Sequence, residues 1–249
     1  MISLDKLPSN TQTLLLALVA QNKDHLLDDF LLIGGTALAM RIGHRSSEDL
    51  DFAIGAARLP AKKIRTLLGR LAQAGFDIVD VTNPGARDDF ENDGLEIENY
   101  QQDWLVGDTK LTFFTYGNNE HEQKTISESC FDVFEGIKIA SIDTIAKTKC
   151  LAVTRRTKSR DLFDIYHLIQ TGNLTIESVI VEMQQTNSYL SYENCVHRIL
   201  EKPIQKDDEG LNPIGVDISV EKIREYLSDR IDELEIKISK KLLRQGDVL

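Results

Sequence analysis

The chain has 249 residues, 41% of them hydrophobic, with three cysteines and a formal net charge of −11. That length supports one large domain or two modest ones with a real core. The acidic balance argues against general affinity for nucleic acid, and three separated cysteines give neither a disulfide framework nor a Cys-based zinc site. The N-terminal MISLDKLPSN lacks the basic-then-apolar pattern of a signal peptide, and no apolar run approaches the roughly 18 residues of a membrane span, so a cytoplasmic protein without membrane contact is expected.

Residues 11–30 read as one or two helices with a possible break at Asn22 to Asp24, and FLLIGG as a short buried strand running into a glycine turn. TALAMRI makes a short helix opened by Thr36 and stopped by Gly43, and DLDFAI the next strand. Pro60 opens a basic amphipathic helix through Ala74 with Ile64, Leu67, Leu68 and Leu71 on one face. FDIVDV, LEIENY, DWLV and KLTFFTY are strand candidates, the acidic stretch Asp88 to Glu98 reads as a solvated loop, and FDVFEGIKIA as a last hairpin. From Ser141 onward every segment has helical periodicity, ending in a helix from Val220 to Leu243 whose stripe of Ile223, Leu227, Ile231, Leu234 and Ile238 suits packing on its own domain. The fold class is α+β: a mixed sheet flanked by helices over residues 1–140, then an α-helical domain over 141–249.

One stretch, IGGTALAMRIGHRSSEDLDF, places two aspartates where a buried strand wants valine or isoleucine. Side chains alternate along a strand, so Asp49 and Asp51 share a face while Leu50, Phe52 and Ile54 turn into the core. Carboxylates this close repel one another unless a positive charge or water offsets them. Such a pair suits Mg2+, or Mn2+, which is held by one or two carboxylates plus substrate phosphates. Upstream, Gly34 and Gly35 allow backbone N–H groups to approach a phosphate closely, and Thr36 opens a helix whose N-terminus favours an anion. Arg41, His44 and Arg45 lie between the two features and could reach a triphosphate.

The combination of an apolar strand, GGT, a short helix and, after 12 residues between Thr36 and Asp49, Asp-x-Asp on a strand resembles the minimal signature of the polymerase-beta-like nucleotidyltransferase superfamily. KCLAVTRR, Lys149 to Arg156, and RDLFDIYHL, Arg160 to Leu168, resemble the K-x-x-A-L/V-x-x-R and R-D-x-x-D-L/I-x-x-L motifs of the AbiEii/AbiGii toxin family within that superfamily. The resemblance runs from Leu31 to Ile169 in the right order and spacing. It implies a toxin of a type IV toxin–antitoxin or abortive-infection pair, encoded with an antitoxin, and several such toxins add nucleotides to tRNA acceptor ends. The family's functional positions fall on Gly34, Gly35, Thr36, Asp49, Asp51, Lys149, Arg156, Asp161 and Asp164.

Elementary chemistry agrees with those positions. On a helix Lys149 and Arg156, seven residues apart, share a face able to grip phosphates. Asp164 is the expected catalytic carboxylate, with Asp161 orienting it and pairing with Arg160 or Lys149. Six cations between Lys147 and Arg160 form a local basic patch suited to an RNA backbone. One departure stands out: the wider superfamily carries a third acid on a later central strand, where KLTFFTY offers Lys110 and Thr112. Glu96, Glu98, Asp103 and Asp108 lie nearby. The expected activity is Mg2+-dependent transfer of a nucleotide from an NTP to an RNA end, by a monomer with a cognate antitoxin. A small-molecule or protein hydroxyl as acceptor, and a non-catalytic binding module, are the alternatives.

Overall fold

A computed structural model describes residues 2–117, 119–187 and 189–246. The chain is α+β as its sequence indicates, and it divides into two compact units, Met1–Ile145 and Ala146–Leu249. Among the described residues no helix is long and apolar enough to cross a membrane.

The first unit is built on a seven-stranded mixed sheet. In chain order its strands are β1 (Leu31–Ile33), β2 (Leu50–Ile54), β3 (Ile78–Asp80), β4 (Gln101–Val106), β5 (Thr109–Thr115), β6 (Phe131–Phe134) and β7 (Ile137–Ala140), and they lie in the order β3-β4-β5-β2-β1-β7-β6. β1 runs antiparallel to β2 and parallel to β7, while β2 runs parallel to β5. Three helices precede β3: α1 (Ser9–Gln21), α2 (Gly34–Ile42) and α3 (Ala61–Gln73). Period-2 alternation on β2 and β5 sends Leu50, Phe52, Leu111 and Phe113 into the core, where Phe52 and Phe113 stack with centroids 5.7 Å apart. The apolar face of α3 is Ile64, Leu67, Leu68 and Leu71, all buried, as its 3.6-residue period requires.

Arg41, near the end of α2, is a tie between that helix and the β6/β7 hairpin. Its guanidinium donates to the carbonyls of Ala140 and, at 2.8 Å, Ile139, and pairs with Asp132 at 2.7 Å. The hairpin turns through Glu135 and Gly136 at φ 46° and 88°, the left-handed pair that a two-residue turn between twisted strands demands.

Two stretches differ from their sequence reading. The acidic segment is not a loop: Pro84–Asn92 forms α4 and Ile97–Asn99 a single 3-10 turn, so LEIENY is not a strand and β4 begins only at Gln101. The reason lies upstream of the acidic run, where Asn83 caps the helix by accepting from the N–H groups of Gly85, at 2.8 Å, and Ala86, and Pro84 supplies a preset first turn. A further helix, α5 (Glu120–Ser127), forms where no element was expected, capped by the Asn119 side chain on the Glu122 N–H. Asn83→Ala should cost about 1 kcal/mol, read as a lower denaturation midpoint with an unchanged slope in urea.

The second unit is helical: α7 (Ser159–Gln170), α8 (Ile176–Thr186), α9 (Tyr192–Leu200) and α10 (Val220–Gly246), with α6 (Ile142–Arg155) crossing the division. Cys150, Val153, Leu162, Ile165, Val179 and Met183 join Cys195, Ile199, Ile223 and Leu227 in its core. The α10 stripe packs there through Ile223, Leu227, Ile231 and Leu234, whereas Ile238 is exposed.

Candidate functional site

The glycine turn and the aspartates meet because β1 and β2 are antiparallel neighbours in a fixed register. Ile33 lies opposite Asp51, so the residue that follows it, Gly34, begins α2 directly against that carboxylate. A Cβ on Gly34 would sit 2.5 Å from Asp51 Oδ2, and Gly34 holds φ at +78°, so both space and backbone conformation require glycine. The helix starts on the glycines themselves, two residues before Thr36. Thr36 is fully buried and fixes the approach to β2 by donating to the backbone carbonyl of Asp49, with Ser47 Oγ 3.0 Å away. Asp49 itself precedes the first hydrogen-bonded residue of the strand, Leu50.

Arg45 is a buried residue rather than a surface one, 5% exposed, and donates to the Ser46 carbonyl at 2.9 Å. Its guanidinium fills the space beside Gly35, where a Cβ would collide with Arg45 Nη2 and lie 2.8 Å from Ser47 Oγ. Gly34 and Gly35 are therefore small for different reasons, one to admit Asp51 and the other to admit Arg45.

A second polar cluster is built in the helical unit. Lys149 on α6 holds Asp161 at 2.9 Å and Asp164 at 2.7 Å, both on the first two turns of α7 and both fully buried. Arg156 closes on Asp161 from the other side, Nε to Oδ2 at 2.7 Å and Nη2 to Oδ1 at 3.3 Å. The second cation on Asp161 is thus Arg156. Burial alone would raise the Asp161 carboxyl, but Lys149 and Arg156 outweigh it and hold the group at about 2. Neither aspartate is the N-cap of α7; Lys158 occupies that position, and the Ser159 N–H is bound instead by Asp208 Oδ1 at 3.0 Å. Of the basic segment, Lys149, Arg156 and Lys158 are paired with carboxylates, the last with Asp207 at 2.7 Å.

The model of the family described as nucleotidyl transferase AbiEii toxin, type IV toxin–antitoxin system, matches residues 16–241. The chain belongs to the AbiEii family. It is similar to JHP933 from Helicobacter pylori, whose crystal structure matches with a TM-score of 0.51 at 22% identity over 96% of each chain. It is also 22% identical to an uncharacterised protein of Aquifex aeolicus (strain VF5), over 84% of this chain and 89% of that one. Membership makes this a nucleotidyltransferase toxin of the type IV class, with a nucleotide substrate and an antitoxin partner implied.

For an AbiEii protein the arrangement has clear chemical capacities. Among the described residues no group of three or more His, Cys, Asp or Glu side chains could hold a metal ion. A hard divalent cation at Asp49 and Asp51 would therefore rest on two carboxylates and take its remaining ligands from water and phosphate oxygens, which is how Mg2+ is commonly held. The donor set fits that ion. Sequence reasoning missed Ser47, the partner of Thr36, because nothing in the polar run RSSED singles out one serine.

Proposed function

We propose that this AbiEii chain is a cytoplasmic, monomeric toxin that transfers a nucleotide from an NTP to the hydroxyl at an RNA end, a tRNA being the favoured acceptor. Gly34, Gly35 and Thr36 present backbone N–H groups to the triphosphate, with Arg45 behind them. Asp49 and Asp51 hold Mg2+, or Mn2+, which when bound offsets phosphate charge. By the family resemblance, Lys149 and Arg156 are the phosphate-binding cations and Asp164, oriented with Asp161, is the base for the attacking hydroxyl; these four are paired within one cluster, so those roles require the pairing to open when substrate binds. The acceptor oxygen forms a bond to the α-phosphorus as the bond from that phosphorus to the pyrophosphate oxygen breaks. A basic antitoxin suits the acidic surface of a chain with a net charge of −11.

The observation that supports this reading is the closeness of the glycine turn to the strand aspartate: a Cβ on Gly34 would sit 2.5 Å from Asp51 Oδ2. The test incubates purified protein with Mg2+, each α-labelled NTP in turn and total tRNA, beside an Asp49→Ala, Asp51→Ala double variant. Label should move to RNA with the wild type alone. Equal transfer by the double variant, or neither transfer nor NTP binding by the wild type, would overturn the assignment; transfer only to a small molecule or protein would replace the acceptor.

A further inference from the structure

A buried carboxylate lies two strands from Asp51, and its placement has a consequence for the cation site. Asp51 on β2 is in register with Thr112 on β5, and Thr112 in turn with Asp103 on β4. In-register neighbours point to the same face of a sheet, so the three side chains form one row with Thr112 in the middle. Asp103 is 4% exposed. Its Oδ1 accepts from Thr112 Oγ1 at 2.8 Å and lies 3.3 Å from Lys110 Nζ, and its Oδ2 accepts from Gln101 Nε2 at 2.8 Å. The Asp103 N–H is held by Thr82 Oγ1 at 3.1 Å.

Burying a carboxylate is costly unless donors compensate it, and here three side-chain donors surround it. Those same donors occupy both oxygens, which makes Asp103 a poor direct ligand for anything on the Asp51 side. Its effect on Thr112 is different. A threonine hydroxyl has one proton and two lone pairs, and with the proton committed to Asp103 the oxygen can act only as an acceptor toward its other neighbours. A hydrogen bond to a charged partner also raises electron density on that oxygen.

We infer that Thr112, polarised by Asp103, is the outer-sphere acceptor for the water that a divalent cation keeps when Asp49 and Asp51 hold it. A cation bound by only two protein carboxylates retains several waters, and each needs an acceptor for its protons. Thr112 provides one from the strand adjacent to Asp51, and Asp103 is its positioning residue. This rests on the assignment of Asp49 and Asp51 as the cation pair.

The test is Mn2+ binding by the full chain, read from the free-ion electron paramagnetic resonance signal, with folding checked by circular dichroism. Thr112→Val, which keeps the shape and removes the hydroxyl, should weaken Mn2+ binding by about 10-fold or more, as loss of an outer-shell partner does. Thr112→Ala is a second hydroxyl-free variant should valine disturb the sheet, and Thr112→Ser should bind as the wild type does. Asp103→Asn should weaken binding too, and in combination with Thr112→Val add little further loss, because both act through one hydroxyl. Wild-type affinity in folded Thr112→Val or Thr112→Ala, with binding abolished in the Asp49→Ala, Asp51→Ala variant, would overturn the inference and leave the cation pair standing. Absence of Mn2+ binding by the wild type, with and without NTP, would overturn both.

Discussion

Gly34→Ala is expected to lower nucleotide transfer by about 10²- to 10³-fold while the protein stays folded. Two effects act together. The backbone at Gly34 sits at φ +78°, where a Cβ costs roughly 1–2 kcal/mol. The added methyl would also arrive 2.5 Å from Asp51 Oδ2, a distance that no carbon tolerates, so the carboxylate must turn away or the start of α2 must shift. The strain is a modest fraction of a domain's stability, but the displaced carboxylate is the cation ligand in the proposed mechanism, and a shift of about 1 Å at such a group can cost 10²-fold. The measurement pairs label transfer to RNA with thermal unfolding. Gly35→Ala makes an informative companion, because its Cβ meets Arg45 and Ser47 rather than Asp51 and should disturb the buried guanidinium first. Near-wild-type transfer by a folded Gly34→Ala protein would remove the functional meaning assigned to the contact.

The extent to which this site could be read in advance follows from what is local and what is not. The β1–turn–α2–β2 segment is contiguous, so its apolar runs, its two glycines and its Asp-x-Asp spacing were legible, as were the helical periods from Ser141 onward. α4 was hidden because its acidic composition resembles a solvated loop, and only the Asn83–Pro84 cap marks its start. α5 has weak apolar periodicity, with Glu122 and Ile126 its buried side chains. The row from Asp51 through Thr112 to Asp103 depends on strand register across β2, β5 and β4, which no single segment encodes. Asp103 was visible as a nearby acid, but its hydrogen bond to Thr112 was not. Arg41 and Arg45 looked alike as cations beside a phosphate site, yet one ties α2 to the β6/β7 hairpin and the other is buried against Gly35. Side-chain burial, rather than residue type, separates them.

Asp161→Asn should destabilise the helical unit by about 3–5 kcal/mol, because it removes one partner from a buried charge cluster and leaves Lys149 with Asp164 alone. Arg156, with its side chain 45% exposed, can turn to water and contributes little of that loss. The pH dependence follows from the sign of the shift. The Asp161 carboxyl falls from an ordinary value of 3.8 to about 2 in the folded chain, despite burial that opposes the change, because Lys149 and Arg156 stabilise the charged form. Its contribution to stability is therefore complete above pH 4 or so, and is lost as the pH drops through about 2. That contribution amounts to about 2 kcal/mol on linkage grounds. The stability gap between wild type and Asp161→Asn, from urea midpoints measured between pH 7 and pH 2, should thus narrow by about 2 kcal/mol toward the acid end, with the wild type losing more of its advantage between pH 4 and pH 2 than between pH 7 and pH 4. A gap that stays constant down to pH 2 would mean that the loss in the variant comes from packing of the amide, and that the ion cluster of Lys149, Arg156 and Asp161 is not what holds α6 to α7.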